Sequence, residues 1–128
     1  MGLSANRKAS LMLQKQTEKT ANYTVVIVTD SGKVFSSVLD GVVFTLPSIA
    51  GGEVYTFINT AEDGAAALNI SPAAADGIMY AGSNTDDKDL INTKATAIKG
   101  DYIKIKSSEA GTVAWQVVDA RGIWQKEA

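Results

Sequence analysis

The stretch Tyr23-Thr24-Val25-Val26-Ile27-Val28-Thr29-Asp30-Ser31-Gly32-Lys33 decides the fold class of this chain. Each residue from Thr24 to Thr29 is β-branched, a composition that crowds a helix and suits a pleated strand. The turn formers Asp30-Ser31-Gly32-Lys33 then predict a hairpin that leads into a second strand, Val34-Phe35-Ser36-Ser37.

The same alternation of short apolar runs and turn residues extends outward from there. Asp40-Gly41 is a turn, and Val42-Val43-Phe44-Thr45-Leu46 is a strand closed by Pro47, which has no N–H for a ladder. After Gly51-Gly52, residues 53–59 alternate, with Val54, Thr56 and Ile58 on one face and Tyr55 and Phe57 on the other. Residues 67–71 form a strand stopped by Pro72. Further strands are expected at 96–98, at 102–106 (apolar alternating with basic), at 113–118 and at 123–124, with turns at Lys99-Gly100-Asp101, Glu109-Ala110-Gly111 and Arg121-Gly122. This punctuation, with no long helical period, predicts an all-β fold: a single β-sandwich, jelly-roll-like, or a partly open barrel, with an extended N-terminal arm.

A chain of 128 residues fits one such domain. Residues 1–20 stand apart from it. They lack aromatic residues and carry Arg7, Lys8, Lys15 and Lys19 against Glu18 alone, whereas residues 21–128 are acidic overall. The expected organisation is an arm over 1–20, mobile until it is bound, followed by a β-sandwich domain over 21–128. Arg7, Lys8 and Lys15 suit an acidic partner surface, and Leu11, Met12 and Leu13 supply a short apolar run.

Composition excludes much chemistry. The chain has neither Cys nor His, which removes disulfides, thiolate ligands, the commonest metal-binding nitrogen and every Ser–His or Cys–His nucleophile. No catalytic residues, no cofactor and no metal are expected. Glu53, Glu62 and Asp101 are possible glycosidase carboxylates, but nothing in their spacing pairs them. Asn84-Thr85-Asp86-Asp87-Lys88-Asp89 is rich in oxygen ligands, yet without the glycine and closing glutamate of a calcium loop it reads as a solvated turn. Gly51-Gly52 has no following Lys-Ser/Thr and reads as a tight turn rather than a phosphate cradle. The net charge of −2 weighs against nucleic acid. No apolar run is long enough for a membrane helix or a signal peptide, so synthesis in the cytoplasm and no membrane partner are expected.

The long irregular stretch over 72–93 is an expected assembly element. Within it, Ile78, Met79 and Tyr80 either tuck into the domain or form an exposed patch that a neighbour buries. Trp115, among valines, is expected in the core; Trp124, near a turn glycine, is an interface candidate.

Several segments in order carry a family resemblance: Phe44-Thr45-Leu46-Pro47, Gly52-Glu53-Val54-Tyr55-Thr56-Phe57-Ile58-Asn59, Lys99-Gly100-Asp101-Tyr102-Ile103-Lys104-Ile105, Gly111-Thr112-Val113-Ala114-Trp115-Gln116-Val117 and Gly122-Ile123-Trp124. This order resembles the β-sandwich modules of bacteriophage head decoration (cement) proteins and of some fibre-type appendages. The resemblance covers about residues 42–126 and rests on no catalytic motif. It implies a structural virion protein, assembled in the host cytoplasm: a homotrimer seated on the major capsid protein or other virion subunits, with an arm that reaches neighbours. The alternative is a receptor- or glycan-binding module of a fibre, using the loop over 82–89 and Trp124.

Overall fold

The computed structural model describes residues 16–27, 29–48, 53–82, 87–107 and 115–128, and builds them into two mixed β-sheets packed together. The strands are β1 (Gln16–Glu18), β2 (Tyr23–Thr24), β3 (Val34–Ser37), β4 (Val42–Thr45), β5 (Val54–Asn59), β6 (Leu68–Ser71), β7 (Ile78–Met79), β8 (Leu90–Asn92), β9 (Tyr102–Ser107), β10 (Trp115–Arg121) and β11 (Trp124–Lys126). One sheet runs β1-β3-β5-β9-β10-β7 and the other β11-β8-β6-β4-β2.

The order of strands corrects the expected hairpins. From β1 to β9 the chain changes sheet at every connection, so strands adjacent in sequence face each other across the core. Neighbours within a sheet are therefore often parallel: Val34 of β3 lies beside Gln16 of β1 and Thr56 of β5, and Phe44 of β4 beside Tyr23 of β2 and Ile70 of β6. The Asp30-Ser31-Gly32-Lys33 turn is real, with Gly32 at φ 77°, but it carries the chain from one sheet to the other.

The run expected as one strand over 23–29 is also shorter than its composition suggests. Only Tyr23 and Thr24 pair, and Val26 and Ile27 are exposed, while Val28 lies outside the described residues. The cause is Asp30. Its buried carboxylate accepts hydrogen bonds from Tyr23 Oη (2.6 Å), Val26 N (2.8 Å) and Lys33 Nζ (3.0 Å), while Asp30 N donates to Val26 O. These bonds curl the segment, and a local hydrogen-bonded turn outcompetes the β preference of the valines.

Three further boundaries differ from expectation. Gln16–Glu18, assigned to the arm, forms the edge strand β1. Residues Lys94–Thr96 form a 3-10 turn where a strand was expected at 96–98. The irregular stretch over 72–93 contains β7 and β8.

Elsewhere the alternation reads through. Tyr55 and Phe57 are buried and Val54, Thr56 and Ile58 half-buried on the opposite face; Ile103 and Ile105 are buried while Lys104 and Lys106 are exposed. The core between the sheets centres on Phe35, Phe44 and Phe57, with ring centroids 5.0–5.8 Å apart, flanked by a Tyr55–Trp115 pair at 5.7 Å. Each fully buried ring contributes roughly 1.5–3 kcal/mol from burial, with about 0.5–1.5 kcal/mol more for a tilted or offset pair.

Candidate interaction surface

Strand direction sorts the loops into two ends. The connections over 19–22, 38–41, 60–67, 93–101 and 122–123 meet at one end; those over 25–33 and 72–77 lie at the other, where β1 begins and β11 finishes. The first end carries a buried polar network. Asn92 Nδ2 donates to Asp101 Oδ2 (3.2 Å) and to Ile123 O (3.1 Å), and Asn59 Nδ2 donates to Asn92 Oδ1 (2.8 Å) and Ala66 O (3.0 Å). Asp101 Oδ2 also accepts from Ile98 N at 3.0 Å.

This network fixes the backbones of Ile98 and Ile123 to one Asn–Asp pair, and both side chains point outward, 53% and 58% exposed. Val38 and Leu39, also exposed, stand on the neighbouring loop of the same end. That loop is held by Asp40, which accepts from Ala67 N (2.9 Å) and pairs with Lys94 (3.0 Å); its carboxyl lies below the ordinary range because of those two contacts. Four large apolar side chains therefore stand exposed on loops of one end, and those loops are held by hydrogen bonds with Asn92, Asp101 and Asp40.

Sequence reading missed these four residues. The signal was available: Leu39, Ile98 and Ile123 each lie within two positions of a glycine with positive φ, Gly41, Gly100 or Gly122. A large apolar residue beside such a turn has left the alternating part of its strand, so its burial is no longer set by the sheet.

The expected contact residues fare differently. Arg7, Lys8, Leu11, Met12, Leu13 and Lys15 lie outside the described residues. Ile78 is fully buried in the core, and Tyr80 packs against it half-buried; Met79 alone of that trio is exposed, at 41%. Trp124, offered as an interface residue, is buried, its Nε1 donating to Arg121 O at 3.0 Å. Trp115 is in the core as its valine neighbours imply.

Met79 marks the flank where the edge strands β7 and β11 meet. Lys126 Nζ spans this seam, donating to Ile78 O (3.0 Å) and Lys88 O (3.1 Å). Partial burial lowers its pKa, against the pull of Asp89 and Glu127. Asp89 is pushed the other way, upward, by burial and by the nearby Glu127 and Asp87 carboxylates. Among the described residues no group of three or more His, Cys, Asp or Glu side chains could hold a metal ion. Of the acidic loop over 84–89, residues 84–86 lie outside the described ones.

Glu53 and Asp101 flank opposite ends of β5: Ser107 N donates to Glu53 O, and Asn59 N to Asp101 O. Six strand residues separate those ends, roughly 20 Å at about 3.3 Å per residue, too far for two carboxylates serving one glycosidic bond. Glu53 is buried and accepts from Tyr55 Oη and Ser31 Oγ; Glu62 is exposed and pairs with Lys99 at 3.0 Å.

Neither a protein-family model nor a curated protein matches this chain. Among the described residues no helix is long and apolar enough to cross a membrane.

Proposed function

We propose that this chain is a structural virion protein: a non-enzymatic β-sandwich with an N-terminal arm, which binds across capsid subunits as a bacteriophage head decoration (cement) protein and stabilises the shell. The observation that carries this reading is that Val38, Leu39, Ile98 and Ile123 stand exposed at one end, the last two held by the Asn92–Asp101 pair and the first two on the loop held by Asp40. A cement protein needs a rigid surface to bury on one subunit and a second element to engage another. The basic residues Arg7, Lys8 and Lys15 precede β1 in the sequence, and β1 begins at the end of the sheets opposite the apolar side chains. Contacts at both ends couple neighbouring subunits, and the second contact benefits from the high effective concentration set by the first. A homotrimer on the lattice is the assembly proposed, in keeping with the symmetric habit of small structural subunits.

A glycan-binding fibre module is the weaker reading. Trp124 was its stacking platform, and that ring is buried.

The test uses heads of the virus that encodes this chain, prepared without it. The wild-type protein is expected to bind them saturably. The double variant Ile98→Ser/Ile123→Ser should fold normally, because surface changes away from buried contacts usually alter stability by less than about 0.5 kcal/mol, yet bind heads at least roughly tenfold more weakly, the scale of losing one or two apolar anchors. Equal binding by the two proteins would mean that the apolar end takes no part in head binding.

A further inference from the structure

The outer face of the six-stranded sheet carries a groove of about 590 Å³, lined by Gln16, Gly32, Val34, Val54, Thr56, Ile58 and Lys104. Its floor is unusual. Phe35, Tyr55 and Phe57 on the same strands already face the core, so the alternate positions should be polar. Instead Val34, Val54 and Ile58 stand there, half-buried.

We propose that this groove is the docking site of the chain's own Leu11-Met12-Leu13, folded back over the sheet from Gln16. Gln16 both lines the groove and opens the described chain, so the preceding residues leave from its rim. Leu11-Met12-Leu13 is the one run of large apolar residues in the first 20 positions. The reach fits. Leu13 is three residues from Gln16 and Leu11 five, distances of up to about 10 and 17 Å for an extended chain. The strands β1 to β9 span three inter-strand spacings, roughly 14 Å. An extended chain from Gln16 is thus long enough to bring Leu13 as far as β5 and Leu11 as far as β9. Gly32, on the groove's lining, has nothing within 4 Å of where a Cβ would stand, so no side chain crowds the groove there. The docked segment covers the apolar floor in the isolated protein, and this inference does not depend on the capsid reading.

The chain has no cysteine, so introduced thiols report cleanly. In the full-length protein, Leu13→Cys is paired with Val54→Cys in the groove, or with Ile91→Cys on the outer face of the other sheet, and oxidised at low protein concentration. An intrachain bond between positions 13 and 54 is expected to form at least about tenfold faster than one between 13 and 91, reflecting a higher local concentration. Equal rates would overturn the proposal. So would a bond that forms only between chains, which would assign the groove to a second copy. A second measurement leaves position 13 without a thiol: Thr56→Cys alone should be alkylated several-fold faster when Leu11→Ser and Leu13→Ser are added, and an unchanged rate counts against docking.

Discussion

The Asp101 carboxylate fills the space in which a side chain on Gly122 would begin: a Cβ there would stand 2.3 Å from Asp101 Cγ. Gly122 also has φ 100°, a conformation that penalises any L side chain. Gly32 shares the positive φ, at 77°, but has open space around it. Gly122→Ala must displace a buried carboxylate that holds Asn92 and Ile98. A loss of about 4 kcal/mol is expected, from the φ penalty and disrupted bonds to a charged group. Gly32→Ala should cost about 1 kcal/mol from backbone strain alone. Urea unfolding of the two variants, with equal slopes, checks the contrast; equal losses would mean that Asp101 relaxes freely.

Asp30 ties the turn that ends β2, and its removal should be felt globally. Asp30→Ala leaves Tyr23 Oη, Val26 N and Lys33 Nζ without their acceptor, a change expected to cost roughly 3 kcal/mol. Chemical denaturation near neutral pH gives the number.

The same carboxylate predicts a pH dependence. Burial would raise its pKa, but the hydrogen bonds from Tyr23, Val26 and Lys33 outweigh that and hold it below the ordinary 3.8. The unfolded chain then takes up the proton first. Asp30's contribution is fully present above pH 3.8 and is lost as pH falls from there through the lower folded pKa. Its partner Tyr23 is raised to about 12 chiefly by the same hydrogen bond. Asp89, raised by burial, acts in the opposite sense: its contribution declines as pH rises through its folded pKa. Asp30→Asn should therefore flatten the fall in stability below about pH 4 relative to wild type. An unchanged acid limb would show that other carboxylates dominate it.

Lys126 closes the seam between β7 and β11 by donating to two backbone carbonyls. Lys126→Met keeps the aliphatic stem and removes the donors, so a loss of about 1–2 kcal/mol is expected from the abandoned carbonyls of Ile78 and Lys88. Hydrogen exchange at Met79 and Trp124 should rise more than at Phe57; uniform change across the three would assign the ammonium no local role.

The all-β class and most strand positions were legible because burial on one sheet face imposes a period of two, visible at Tyr55 and Phe57 and again at Ile103 and Ile105. Pairing was not legible. A turn such as Asp30-Ser31-Gly32-Lys33 looks the same whether the next strand lies alongside or crosses to the other sheet, and only the packing of Phe35 against Phe44 and Phe57 decides it. Local hydrogen bonding hid the end of β2, since the Asp30 carboxylate overrides a run of β-branched residues. The apolar end was missed because Ile98 and Ile123 read as strand residues, while the Asn92–Asp101 pair that turns them outward joins positions far apart in the chain. Trp124 shows the converse: proximity to a terminus and a turn suggested exposure, but β11 pairs with β8 and draws the ring inward.

The proposed role is mechanical: binding across capsid subunits that adds to the strength of the shell. It is tested most directly by the temperature at which undecorated heads release their DNA, measured with and without saturating protein. Saturable binding and a release temperature several degrees higher are expected, as for a ligand that binds only the intact state. Heads that bind no protein, or that bind it and fail at the same temperature, would contradict it.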